Sequence, residues 1–96
     1  MLERLGAEDF ENLPDNSLRQ RRPTGPVTLE VIKVVRLPAA LRPIAPFALI
    51  LRESGAKSWE PQGTFVYDHP TLGELALFTV PIGPDAKGMR YEIIFN

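Results

Sequence analysis

Between residues 64 and 95 the chain repeats one pattern: a short stretch of alternating apolar and other residues, then a break marked by Pro or Gly. Thr64–Asp68 sets Phe65 and Tyr67 on one face and Val66 on the other. Glu74–Val80 opposes Leu75, Leu77 and Thr79 to Ala76, Phe78 and Val80. Met89–Phe95 aligns Met89, Tyr91, Ile93 and Phe95 against Arg90, Glu92 and Ile94. Successive strand residues point to opposite faces, so a period of two predicts β-strands rather than helices. His69-Pro70-Thr71-Leu72-Gly73 is a turn, and Pro81 to Gly88 closes a loop. Strands separated by such short breaks pair as an antiparallel meander.

The first half adds to this frame. In Val27–Val35, Val27, Leu29 and Val31 share a face against Thr28 and Glu30, and β-branched residues dominate. The alternation slips after Val31, which predicts a bulge or burial on both faces. Phe47–Arg52 places Phe47, Leu49 and Leu51 together, and Pro38, Pro43 and Pro46 make Leu37–Pro46 an extended loop. Ser17–Arg22 is a short polar strand, and Pro23 and Pro26 just after it suit an edge position. Ala7–Leu13 favours one or two helical turns, with Glu8 and Asp9 near the start and Pro14 at the stop. A helix so short is stable only when packed, so Leu5, Phe10 and Leu13 must lie on the sheet.

These segments predict a mainly β fold: a small antiparallel barrel or sandwich of five to six strands with one short N-terminal helix. At 96 residues the chain is one domain, 1–96, with residues 1–15 as the helical segment and 17–96 as the β-rich body. A hydrophobic content of 44% supports a packed core.

Little in the chain supports chemistry. It has no cysteine, hence no disulfide, thiolate metal site or thiol nucleophile. Its one histidine, His69, would need Ser17, Ser54 or Ser58 and an acid to form a triad. The adjacent Asp68 points to the opposite strand face, and no Gly-x-Ser-x-Gly surrounds a serine. Asp68-His69-Pro70 is instead a turn, with Asp68 capping the reversal. Glu8, Asp9 and Glu11 do not match a calcium loop, and Gly83–Gly88 lacks the Gly-Lys-Ser/Thr of a phosphate loop. The expectation is no catalytic residue, no metal and no cofactor: not an enzyme. The longest apolar stretch, Pro43 to Leu51, is broken by Pro46 and falls short of the roughly 20 residues of a membrane span. The N-terminus has no basic region leading into an apolar one, so the expected location is cytoplasmic, or within a released particle.

Charge is distributed in blocks. The total is −1, but residues 1–15 carry a net −4, residues 16–57 a net +6 and residues 58–96 a net −3. Such blocks can steer partners or copies together, or interleave as a solvated surface. Arg19, Arg21 and Arg22 form a basic cluster, joined in the central block by Arg42. No aromatic residue is interleaved with the cluster, which disfavours nucleic acid. Trp59 stands in the polar stretch Ser54–Gln62, either as a lid on the core or as an interface anchor. The candidate interaction residues are therefore Trp59, Arg19, Arg21, Arg22 and Arg42.

Leu5-Gly6-Ala7-Glu8-Asp9-Phe10, Pro61-Gln62-Gly63-Thr64-Phe65, His69-Pro70, Leu72-Gly73-Glu74-Leu75, Leu77-Phe78, Val80 to Asp85, Gly88-x-x-Tyr91 and Phe95-Asn96 carry a resemblance over nearly the whole chain. The chain resembles an uncharacterised family of short bacterial domains associated with phage tail-collar-like genes. The shared residues are mainly turn and core types, so the resemblance implies a common fold and a structural role, and no activity. The functional expectation is a structural or assembly domain that docks to a protein partner or to copies of itself, through strand edges or an apolar patch. The alternative is a small-molecule or glycan module with a site at a barrel mouth near Trp59, Tyr67 and His69.

Overall fold

The computed structural model describes residues 5–38 and 46–95. A short helix, α1 (Glu8–Glu11), and a 3₁₀ turn (Pro14–Asn16) precede six strands. These are β1 (Ser17–Gln20), β2 (Val27–Arg36), β3 (Phe47–Ser54), β4 (Gly63–His69), β5 (Gly73–Asp85) and β6 (Gly88–Phe95). They form a closed barrel in the order β1-β2-β3-β6-β5-β4, with β4 pairing back to β1. Every neighbouring pair is antiparallel. Of the two architectures the periodicity allows, the barrel is the one formed.

The alternation predicted from sequence is the inside and outside of this barrel. Leu18, Leu29, Leu49, Leu51, Tyr67, Leu77, Tyr91 and Ile93 are buried in one core cluster. The β2 bulge lies between Val31 and Lys33, so the extra residue, Ile32, lets both Val31 and Val34 pack against the core. The predicted N-terminal packing also forms, since Leu5, Phe10 and Leu13 are buried in the same cluster. Phe10 closes one end of the barrel, its ring centroid 5.8 Å from Phe47, 5.4 Å from Phe95 and 5.3 Å from His69. Phe47 and Phe95 stack beneath it at 4.3 Å. Burying a phenylalanine contributes about 1.5–3 kcal/mol, which is what holds so short a helix in place.

Three local expectations are corrected. The first strand is not an edge: β1 pairs with β2 along Ser17–Gln20 and with β4 at Arg19 and Gln20. Pro23 and Pro26 lie beyond its last residue, so they remove no ladder donor from it. The Pro81–Gly88 loop is mostly strand, because β5 runs on to Asp85 and the reversal takes only Ala86 and Lys87. Pairing of β5 with β4 ends at Thr79, so beyond it the strand has one open edge that tolerates Pro81 and Pro84. Gly83, at φ 107°, takes up the bulge between Pro81 and Gly83. Finally, Asp68 does not cap the β4–β5 turn. His69 does, its Nδ1 accepting hydrogen bonds from the backbone N–H groups of Thr71 and Leu72 at 3.2 Å each.

The loop between β2 and β3 begins and ends where predicted. Leu37 donates its N–H to the Pro46 carbonyl at 3.0 Å, and residues 39–45 between them lie outside the described residues.

Candidate functional site

The barrel interior is occupied by its own side chains, including a chain of polar groups. Thr79 and Tyr67 share a hydrogen bond of 2.8 Å, and Gln20 Nε2 donates to the Tyr67 hydroxyl at 2.8 Å. Gln20 Oε1 then accepts from Arg22 Nε, and Arg22 Nη2 lies 2.9 Å from Glu53 Oε1. That last contact is an ion pair without hydrogen-bond alignment, so it is coulombic only. Tyr67, Gln20 and Thr79 are fully buried, and burial pushes the Tyr67 hydroxyl above the ordinary tyrosine range. The polar groups therefore bond one another across β1, β4 and β5.

The postulated mouth near Trp59, Tyr67 and His69 does not assemble. Gly63 begins β4 and His69 ends it, so Trp59, four residues before Gly63, lies by the far end of the strand from His69. At about 3.4 Å per residue that separation is roughly 20 Å. His69 Nε2–H donates to the Asp9 carbonyl at 2.6 Å while Nδ1 accepts from the turn, so the ring is the neutral Nε2–H tautomer tying α1 to β4. Grooves of about 310 and 350 Å³ flank it, lined in part by Pro14, His69 and Pro70, and both open to solvent. Among the described residues no three His, Asp or Glu side chains converge to hold a metal ion, and no helix is long and apolar enough to cross a membrane.

The charge blocks interleave. Arg36 of the basic block binds Glu11 of the first acidic block at 2.7 Å. Arg21 binds Asp68 at 2.6 Å and Glu74 at 2.7 Å, and Arg52 bridges Asp85 at 2.8 Å and Glu30 at 2.9 Å. The Arg21 hydrogen bond holds the Asp68 carboxyl below its ordinary range. Arg52, and then the Lys87 N–H, does the same to Asp85. Alternation along β1 splits the predicted basic cluster: Arg19 and Arg21 are exposed, whereas the Arg22 side chain turns inward and is 8% exposed. Arg42 lies outside the described residues.

Beside these ion pairs the outer surface carries large apolar side chains. Phe78 on β5 is 54% exposed and Ile94 on β6 is 51% exposed, two residues beyond the Val80–Glu92 rung. Val80, Ile50 and Val35 are half-buried on the same outer surface, with Glu92 between Val80 and Ile50 and the buried Ala48 between Ile94 and Val35.

A family described as a domain of unknown function, DUF6916, matches residues 5–95. The chain belongs to that family. No curated protein and no solved structure matches it.

In this DUF6916 domain the interaction candidates thus occupy separate places. Trp59 is 59% exposed in the β3–β4 connection, which removes the core-lid alternative. Phe78 and Ile94 are exposed apolar residues that the sequence reading did not count among the interaction candidates. The signal was present: Phe78 shares its face with Ala76 and Val80, and Ile94 sits on the face of Arg90 and Glu92, where a polar residue belongs. Period two shows that one face of a strand is buried. It does not show that the opposite face is also apolar for a reason.

Proposed function

We propose that this domain is a non-enzymatic assembly domain that docks to a protein surface through the outer face of its barrel, within a phage-tail-like or filamentous particle. The observation that carries the proposal is the pairing of two half-exposed large apolar residues, Phe78 and Ile94, on neighbouring strands of a closed barrel. Barrel closure also moves the docking mechanism from strand edges to this face, because backbone pairing is largely consumed within the ring. The resemblance to domains near tail-collar-like genes supports the particle setting, where repeated docking is needed and turnover is not.

Sedimentation velocity on the full chain, alone and with candidate partner proteins, tests this. The expected result is a complex that disappears in the joint Phe78→Ser, Ile94→Ser variant while the thermal midpoint stays unchanged. A chain that ignores proteins but binds a small molecule or glycan near His69 would overturn it.

A further inference from the structure

Resting on that assembly reading, we infer that the occupant of this face is a second copy of the chain, related by a two-fold axis running along β3. One rung of the barrel is balanced in charge about its centre. Lys33 of β2 pairs with Ile50 of β3, and Ile50 pairs with Glu92 of β6, all three on the outer surface. Neighbouring strands lie about 5 Å apart, so a cation and an anion stand at equal distances on either side of an apolar centre. The next outer rung is Val35, Ala48 and Ile94, with Ile94 exposed, Val35 half-buried and Ala48 buried at the base between them. Among the described residues neither Lys33 nor Glu92 forms an ion pair, whereas Arg21, Arg36 and Arg52 all do.

A two-fold contact requires a surface complementary to itself: if one residue meets a second across the interface, the second meets the first. The Lys33–Ile50–Glu92 rung meets that condition. An axis parallel to β3 through Ile50 brings the two copies of Ile50 together. It sets Lys33 of each copy opposite Glu92 of the other, and Val35 opposite Ile94. The exposed Phe78 then lies at the rim of the contact on the β5 side. Both charge pairs form at once, and both are opposite in sign. A face for an unrelated partner has no reason to balance its own charges about its own centre.

Charge reversal in two separately purified full-length variants tests this. Lys33→Glu alone, or Glu92→Lys alone, places like charges opposite each other and weakens self-association by about tenfold or more. Mixing the two restores it, because the mixed pair has opposite charges at both contacts. Restoration also shows that both variants are folded. Light scattering at low ionic strength, where such pairs are least screened, reads the mass. If either variant self-associates like the parent chain, or the mixture stays monomeric, the two-copy geometry is wrong. Should complexes with another protein still be lost with Phe78→Ser, Ile94→Ser, the assembly reading survives without this inference.

Discussion

Gln20 donates a 2.8 Å hydrogen bond to the hydroxyl of Tyr67, joining β1 to β4 where the barrel closes. The backbone pairing there is short, limited to Arg19 with Asp68 and Gln20 with Tyr67, plus the Arg21 N–H to the Val66 carbonyl at 2.9 Å. A buried side-chain bond therefore carries an unusual share of the closure. Removing one partner leaves buried polar groups unsatisfied, which costs about 1–3 kcal/mol per group. Tyr67→Phe deprives Gln20 Nε2 of its partner, while Thr79 Oγ1 keeps its bond to the Leu77 carbonyl at 3.2 Å. Urea unfolding should show a loss of about 2 kcal/mol for Tyr67→Phe, and a larger one for Gln20→Leu, which also strands Arg22 Nε.

The α1 segment is part of the core. Phe10→Ala empties the space above the Phe47–Phe95 stack, and such truncations cost about 3–5 kcal/mol when the cavity cannot collapse. Chemical denaturation is expected to show that loss. A change below about 1 kcal/mol would place the N-terminal segment outside the cooperative unit.

Stability should decline at both ends of the pH scale, for opposite reasons. Asp68 and Asp85 titrate lower when folded, because Arg21 and Arg52 hold their ionised forms. Their stabilisation is present above the ordinary carboxylate value of about 4 and is lost as pH falls through the depressed folded values. Tyr67 is shifted the other way: burial raises it. Its contribution is complete below the unfolded tyrosine value of about 10 and disappears as pH rises through the folded value. Urea midpoints against pH should show both limbs, with Asp85→Asn flattening the acid one and Tyr67→Phe the alkaline one. The carboxylates are solvent-exposed, so the acid limb is the shallower.

Gly88 starts β6 directly opposite Ser54 of β3. A Cβ there would sit 2.1 Å from the Glu53 carbonyl oxygen, and the obstacle is backbone, which cannot swing aside. Gly88→Ala should therefore push β6 from β3 and cost about 2–3 kcal/mol. Circular dichroism melting against Gly63→Ala, where a Cβ meets open space, isolates the effect.

Much of this structure was legible before any fold was drawn. The inward sets Phe47, Leu49, Leu51 and Met89, Tyr91, Ile93, Phe95 follow from period two, because a pleated backbone sends alternate residues to one side. The β2 bulge was visible as a slip in that period. The paired arginines were not legible. Arg21 lies 47 positions from Asp68, and their meeting depends on β1 pairing with β4, which no local pattern encodes. The capping role of His69 was misplaced onto Asp68 for a similar reason: alternation says that the two face opposite ways, not which one faces the turn.

The sequence by itself determined where strands run, which faces are buried, and that a histidine-poor, cysteine-free chain has few groups with which to catalyse. Those are properties of neighbouring residues, set by sterics and side-chain type. Only the tertiary structure decided that the sheet closes through β1, that β6 lies between β3 and β5, and that the charge blocks interleave through ion pairs. It also decided that Phe78 and Ile94 stand together on the outside, with Lys33 and Glu92 balanced about Ile50. These relations arise from pairing between distant segments, where the free energy of a whole closed ring, not any local preference, selects the partner.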